Sequence, residues 1–359
     1  MPTSRALLAV IAAGTLLLAG CSAPPETAPA TAAPSVTATS DAAPGAVDAL
    51  SLTGPVEART VADMQSVVND ASPVLPATVI DVNGDEVTVP TADRVIALDL
   101  YGALTDTVIG LGLESRLVAR ALSDTQGSLR DLPVVTSGAT DLNVEAVLDL
   151  DPDLVLTNTT IGADAVYRQL EAAGVTVVRF GQVPHLSGIG DAIRGVGAVF
   201  GMKDAAEALA DHTDAALADA RAQIAALKAA TPRPPRAAVL YVRGTAGIFF
   251  IFGSDYGASD LIAALGLEDV AKENGITTLK PANAEALVTL DPEIVLAMTN
   301  GITSAGGVDA FLGRPGMAAT AAGHNRRVVM AADSQLLSYG PRTPDNLVAL
   351  AEAVYMAAS

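Results

Sequence analysis

A fourteen-residue stretch occurs twice in this chain, and the repeat limits the possible folds more than any other feature. Residues 143–156 match residues 283–296 at a constant offset of 140, with eight of the fourteen positions identical. In both copies an Asn precedes a short helical pattern, a Glu falls in its first turn, and Asp-Pro ends it before an apolar strand. The two copies predict two similar lobes of α/β type.

Short β-branched or aliphatic runs alternate with helical periodicity, which predicts βα units and mostly parallel sheets. Asn83-Gly84, between two such runs, predicts a hairpin. An Ala-rich pattern from about Asp204 to Ala229 lies between the repeat copies and is followed by prolines. We expect it to form one helix of about 39 Å that links the lobes, although a surface helix within one lobe is the alternative. The predicted strands are 77–82, 86–90, 94–100, 154–157, 175–180, 237–242, 294–298 and 327–330.

The first twenty residues have the layout of a secretory signal peptide. Arg5 precedes an apolar run from Ala6 to Leu18, which is too short for a transmembrane helix. The ending Leu18-Ala-Gly-Cys21 resembles the bacterial lipobox, which implies that Cys21 becomes a lipidated N-terminus; an ordinary secretory signal is the alternative. The following residues, rich in Ala, Pro, Ser and Thr, predict a disordered tether. The expected divisions are signal 1–20, tether 21–73, N-terminal lobe 74–203, linking helix 204–230 and C-terminal lobe 231–359.

Composition excludes several classes of function. A formal charge of -19 argues against nucleic acid as the partner, because nucleic acid rewards clustered Lys and Arg. A single Cys excludes an internal disulfide framework and any Cys-rich metal site. None of the four lysines completes a phosphate-binding G-x-x-x-x-G-K-[ST] motif, and no G-x-S-x-G or H-E-x-x-H occurs.

Four further segments carry a family resemblance. They read Leu98-Asp-Leu-Tyr-Gly102, Leu240-Tyr-Val-Arg-Gly-Thr-Ala-Gly247, Gly257-Ala-Ser-Asp-Leu261 and Leu337-Ser-Tyr-Gly-Pro-Arg-Thr-Pro344. With the repeat, they make the chain from Thr78 to Tyr355 resemble the class III periplasmic binding proteins of ABC importers, and within them the haemin-binding lipoproteins of actinobacteria (the HmuT type). The resemblance implies an α/β fold of two Rossmann-like lobes joined by a single long α-helix.

The resemblance implies that Tyr241 is an axial ligand of haem iron and that Arg243 supports it. Side chains alternate along a strand, so positions 241 and 243 share a face. Ferric iron accepts a phenolate, and a neighbouring guanidinium favours the ionised form of a tyrosine. The alternative is that Tyr241 is an ordinary half-buried strand aromatic with Arg243 at the rim.

One position departs from the family pattern. The haemin-binding group has a second axial ligand, His or Tyr, just before the Asn-x-Glu helix, and the matching residue here is Ala139. Either Tyr241 holds the iron alone, or another group such as Tyr101 reaches it, or the cleft has changed its cargo. The three histidines are expected at the surface rather than as ligands; they are His185, His212 and His324.

Further cleft candidates are Tyr256 and Tyr339, which would stack on a flat macrocycle or merely cover the ends of the sheet. Arg342 would pair with a propionate, because Arg forms bidentate contacts with carboxylates. Its alternative is a structural ion pair with one of the many acidic residues.

The repeat also implies a docking role. In the family, one Glu at the outer end of each lobe binds arginines of the membrane permease, and Glu145 and Glu285 match those positions. Both also suit the positive end of a helix dipole, and the two roles are compatible.

The expected function is a membrane-anchored, extracytoplasmic, monomeric binding protein without catalytic activity. It would bind haemin between the lobes and pass it to an ABC permease and its ATPase. A ferric siderophore or a corrinoid is the alternative cargo, and a metal-assisted enzyme on the same body is the distant alternative.

Overall fold

The computed structural model describes residues 42–68, 72–138, 140–245 and 247–357. The predictions for the signal peptide, for lipidation of Cys21 and for Ala139 concern residues outside these ranges. Within the described ranges, no helix is both long enough and apolar enough to cross a bilayer.

Residues 42–68, named here the strap, pack onto both lobes, so the prediction of a disordered tether is wrong for this part of the chain. Strand β1 (Val56–Glu57) pairs in parallel with Val329 and becomes the edge strand of the C-terminal lobe. Further along, Asp63 Oδ2 accepts a hydrogen bond from the backbone N–H of Gly127 in the N-terminal lobe (2.8 Å). The prediction failed because it weighed side-chain composition, whereas backbone hydrogen bonds hold much of the strap in place.

The N-terminal lobe is built on three parallel strands. Its elements are β2 (Ala77–Ile80), β3 (Glu86–Val89), β4 (Val95–Leu98), α1 (Ala103–Gly110), β5 (Thr136–Ser137), β6 (Asp141–Leu142), α2 (Val144–Leu148), β7 (Leu154–Thr157), α3 (Asp164–Ala172), β8 (Thr176–Arg179) and α4 (Ile189–Val199). Strand β7 lies between β4 and β8 and pairs in parallel with both. All residues of β4 and β7 are buried, as expected where helices cover a parallel sheet. The hairpin predicted at Asn83-Gly84 is confirmed as β2 and β3.

The C-terminal lobe carries a larger, mixed sheet. After the linking helix α5 (Lys203–Lys228), its elements are β9 (Arg236–Arg243), β10 (Ile248–Ile251), α6 (Ala258–Ala264), β11 (Glu268–Asp269), α7 (Val270–Glu273), β12 (Lys280–Pro281), α8 (Ala284–Leu290), β13 (Ile294–Met298), α9 (Thr299–Ser304), α10 (Gly307–Leu312), α11 (Ala321–Asn325), β14 (Val328–Ala331), α12 (Asp333–Leu336) and α13 (Thr343–Tyr355). The sheet order is β1-β14-β13-β9-β10-β12, and β11 also pairs with β9. Strands β1, β14, β13 and β9 are parallel, whereas β10 returns antiparallel to β9 in a hairpin that the sequence did not predict.

The two repeat copies have the same local structure. Asn143 caps α2 by accepting a hydrogen bond from the N–H of Ala146 (3.1 Å), and Asn283 caps α8 through Ala286 in the same way (2.9 Å). Each helix leads into a buried parallel strand, β7 or β13. The predicted repeat is therefore confirmed at the level of hydrogen bonding.

The predicted linking helix is confirmed as α5, within one or two residues of its expected ends. It packs against α4 of the N-terminal lobe and against α13 of the C-terminal lobe. Small side chains let the helices approach closely, since a Cβ at Gly197 of α4 would lie 2.2 Å from the Cβ of Ala206. The strap is a second connection, so the chain passes between the lobes twice.

Gly197→Ala should therefore destabilise the protein, because the added methyl group collides with α5 where the backbone has little freedom to move. We expect a loss of about 1–3 kcal/mol in the free energy of unfolding, measured by urea denaturation.

The matched control is Gly195→Ala in the same helix, where the new Cβ would meet Phe180 at 3.7 Å, an ordinary contact distance. Alanine favours helix formation over glycine, so this control should be neutral or stabilising. Equal losses for the two variants would contradict the close approach at Gly197.

Candidate ligand-binding cleft

A cavity of about 850 Å³ lies between the two lobes. Its wall includes residues just beyond the carboxyl ends of β4 and β7, and at the carboxyl ends of β9 and β13: Asp99, Asn158, Tyr241, Arg243 and Met298. Ligands of open α/β sheets bind at this edge of the strands. The volume falls within the range of about 300–1,000 Å³ that is usual for small-molecule sites. The cavity is the candidate binding site.

Tyr241 and Arg243 lie together on the cavity wall, as their spacing in β9 predicts. The Arg243 Nε donates to Tyr241 Oη across 3.4 Å, and the guanidinium carbon lies 5.9 Å from the centre of the tyrosine ring. The ring also meets Phe252 edge-on, with 5.9 Å between centroids. Burial alone lowers the pKa of Arg243, but Tyr241 and Asp333 more than offset it, so the guanidinium keeps its charge beside the phenol.

Asp333 completes this group and was missed in the sequence. Its Oδ2 accepts a hydrogen bond from Arg243 Nη2 (3.4 Å), while its Oδ1 is buried without a hydrogen-bond partner among the described residues. Burial raises the pKa of this carboxyl above its usual value. Asp333 begins α12 shortly after β14 ends, so its place beyond a parallel strand was the signal that could have revealed it.

Tyr101 reaches the cavity from the N-terminal lobe. Asp99 fixes the turn that carries it, because the carboxylate accepts hydrogen bonds from the N–H groups of Tyr101 (2.8 Å) and Gly102 (2.6 Å). Burial, followed by the proximity of Tyr241, raises the pKa of the Tyr101 phenol. Tyr101 therefore presents a neutral hydroxyl to the cavity.

The two remaining tyrosine candidates occupy different environments. Tyr256 is 43% exposed and meets Phe252 edge-on, with 6.0 Å between ring centroids. Tyr339 is buried, and its hydroxyl donates to the carbonyl of Gly257 (2.5 Å). Both side chains line the cavity, but only Tyr256 keeps a hydroxyl without a protein partner among the described residues.

One expectation from the sequence does not match the structure. Arg342 lies outside the cavity wall, where its Nε donates to Asp106 Oδ2 (2.9 Å) in a buried ion pair across the two lobes. The alternative of a structural ion pair is the one observed. His185 is exposed, as expected, and it also lines the cavity because the loop after β8 folds along its edge.

Glu145 and Glu285 lie in the first turns of α2 and α8, on exposed positions of the two lobes. In the described ranges, neither carboxylate forms an ion pair with another side chain. The same ranges contain no cluster of three or more His, Cys, Asp or Glu side chains suited to a bare metal ion.

A model of the family described as "Periplasmic binding protein" matches residues 98–334. This chain is a periplasmic binding protein. The crystal structure of the haem-binding protein HmuT is 39% identical, with a TM-score of 0.82 over 86% of this chain and 99% of that one. Related HmuT structures carry alanine in place of a tyrosine, of an arginine two positions later, and of a histidine.

Two curated proteins are also similar to this periplasmic binding protein. The uncharacterized ABC transporter substrate-binding lipoprotein YvrC of Bacillus subtilis (strain 168) is 25% identical over 285 residues, 79% of this chain and 86% of YvrC. A cobalamin-binding protein of Halobacterium salinarum (strain ATCC 29341 / DSM 671 / R1) is 29% identical over 236 residues, 62% of this chain and 58% of that protein. The chain is thus similar to one transporter substrate-binding lipoprotein and to one cobalamin-binding protein.

The buried carboxyls beside the ion pair predict a pH dependence of stability. Burial, reinforced by Asp99, raises the pKa of Asp124 to about 8 from an ordinary value of 3.8. The folded state therefore binds more protons than the unfolded state between these values, and this contribution to stability is lost as the pH rises toward 8.

Asp124→Asn should flatten that dependence, because the amide stays neutral and can still accept a hydrogen bond from the N–H of Ala121. Between pH 5 and pH 8, wild type should lose free energy of unfolding. The variant should lose less, by at least about 1 kcal/mol. Urea denaturation at both pH values measures the effect, with the exposed Asp149→Asn as control. Parallel pH profiles for wild type and Asp124→Asn would refute the assignment.

Proposed function

We propose that this protein is an extracytoplasmic lipoprotein that binds haemin between its lobes and delivers it to an ABC permease with its ATPase. The observation that carries the proposal is the Tyr241–Arg243 pair on the cavity wall. The similarity to HmuT, whose structures include variants at a tyrosine and an arginine of the same spacing, supports it.

The chemistry of the pair suits ferric haem. Ferric iron is held by tyrosine in some haem proteins, and the phenolate form is the ligand. Arg243 places a positive charge beside the Tyr241 oxygen, 3.4 Å away. Apolar side chains of the cavity, including Phe252, Met298 and Ile193, supply the surface that the flat macrocycle needs.

The remaining parts of the proposal concern delivery. Haemin is the cargo rather than a catalyst, and the protein is a monomer and not an enzyme. Lipidation of Cys21 anchors it at the extracytoplasmic face of the membrane, which the similarity to the lipoprotein YvrC supports. Glu145 and Glu285 dock the two lobes onto basic residues of the permease.

A corrinoid is the second candidate cargo, favoured by the similarity to the cobalamin-binding protein of Halobacterium salinarum. A ferric siderophore belongs to the same alternative. Titrating the purified protein with haemin, cyanocobalamin and a ferric hydroxamate separates these cargoes, because each has its own absorption bands. Saturable binding of cobalamin without binding of haemin would replace the main proposal.

Wild-type protein should give a saturable Soret band with haemin, and Tyr241→Phe should weaken binding at least about tenfold. Phenylalanine keeps the ring and its contact with Phe252 but removes the oxygen that binds iron. Absorption titration measures the affinity, and loss of the phenolate charge-transfer band identifies the ligand.

The control is Tyr256→Phe, which removes a hydroxyl from the same cavity wall without touching the proposed iron ligand. It should leave the spectrum unchanged. Equal spectra for wild type and Tyr241→Phe would end the proposal that Tyr241 ligates the iron.

Glu145→Ala and Glu285→Ala should leave haemin affinity unchanged while lowering haem uptake by cells that carry the variant at its own locus. The double variant should lose most uptake, since each exposed carboxylate would lose a cationic partner on the permease. Glu86→Ala, at an exposed position of β3, is the control. Normal uptake by the double variant would contradict the docking role.

A further inference from the structure

The cavity wall carries few cations to pair with the two carboxylates of haemin. Haemin carries two propionate carboxylates, which need hydrogen-bond donors or cations when they leave bulk water. Among the described residues that line the cavity, the acidic side chains outnumber the basic ones. The acidic residues are Asp99, Asp191, Asp255 and Asp333, and the basic residues are Arg243 and His185.

Both arginines near the cleft already have protein partners. Arg243 donates from Nε to Tyr241 and from Nη2 to Asp333, so two of its donors face oxygens at the proposed iron site. Arg342 is buried in its ion pair with Asp106 and does not line the cavity. The basic side chain that remains on the wall is His185.

Asp260 holds His185 at the boundary between the lobes. The Asp260 Oδ2 accepts a hydrogen bond from the N–H of Leu186 (2.7 Å), and its Oδ1 lies 3.6 Å from His185 Nδ1. This carboxylate comes from α6 of the C-terminal lobe, whereas His185 lies in the loop after β8 of the N-terminal lobe, named here the histidine loop. With Nδ1 turned toward Asp260, the Nε2 edge of a side chain that is 58% exposed remains available to a ligand.

The position of His185 suits the edge of a macrocycle better than its centre. From Tyr241, ring contacts lead to Phe252 and then to the exposed Tyr256, over centroid distances of 5.9 and 6.0 Å. Asp260, which anchors the histidine loop, follows Tyr256 by four residues in the chain. A porphyrin whose iron binds Tyr241 carries its propionates at its periphery.

We propose that His185 binds a propionate carboxylate of haemin at the edge of the cleft, where Gln182 and Ser187 of the same loop add neutral donors. This inference rests on the proposed function, since it assumes that haemin is the cargo. It assigns His185 to the recognition of ligand charge and leaves iron coordination to Tyr241.

The test compares haemin with its dimethyl ester, in which the propionates are uncharged while the iron and the ring are unchanged. Wild type and His185→Ala are titrated with both ligands by absorption spectroscopy. His212→Ala in α5 and His324→Ala in α11 are matched controls, because neither histidine lines the cavity. Melting temperatures confirm that the variants fold.

We expect wild type to prefer haemin over the ester by about fivefold, the scale of a partly exposed charge pair. His185→Ala should bind the two ligands equally and keep the wild-type Soret position, while the two control variants retain the preference. The inference is overturned if His185→Ala keeps the preference, loses affinity equally for both ligands, or shifts the haem spectrum as loss of an iron ligand would. Failure of wild type to bind either ligand would instead refute the proposed function.

Discussion

A buried ion pair between the lobes is the interaction on which the geometry of the cleft depends. Asp106 of α1 and Arg342 at the start of α13 meet at 2.9 Å, and the other oxygen of Asp106 accepts from Gln126 Nε2 (2.7 Å). Gln126 in turn accepts from the N–H of Met64 in the strap (2.5 Å). Because a buried charge without its partner is strongly destabilising, this chain of contacts fixes the two lobes and the strap relative to one another.

The same pair explains the chemistry available on the cavity wall. Arg342 is buried against Asp106 and does not line the cavity, so it has a structural partner and does not reach a ligand there. Arg243 then becomes the cation beside Tyr241, and Asp333 orients it from the other side. Arg342 and Asp106 thus hold the two lobes together, whereas Tyr241 and Arg243 form a separate group that is suited to bind iron.

Much of the fold could be predicted because its signals are local in sequence. The caps at Asn143 and Asn283, the apolar strands and the Ala-rich helix α5 each follow from a few neighbouring residues, and the structure confirms them. The strap could not be predicted, since its order comes from backbone bonds to residues more than fifty positions away, such as Val329. Composition alone cannot reveal such pairing.

The candidate site likewise contains residues that could be predicted from the sequence and residues that could not. Tyr241 and Arg243 were singled out by the family resemblance, and alternation of side chains along one strand predicted that the two share a face. The partners of Arg342 and His185 lie on the opposite lobe, so neither assignment could be made without the tertiary structure. Asp333 could not be distinguished from the many other aspartates in the sequence. Its position just after β14, at the edge of the cleft, becomes clear only in the structure.

The strap also restricts how the lobes can move. Helix α5 joins them at one place, and the strap joins them at another, where it leaves the edge strand at Ala58 and reaches the N-terminal lobe by Asp63. Two lobes joined at two separate points rotate most easily about a hinge axis that passes through both points. If the Asp106–Arg342 pair separates, opening of the cleft is a swing about one axis, and twisting of one lobe over the other would stretch either the helix or the strap.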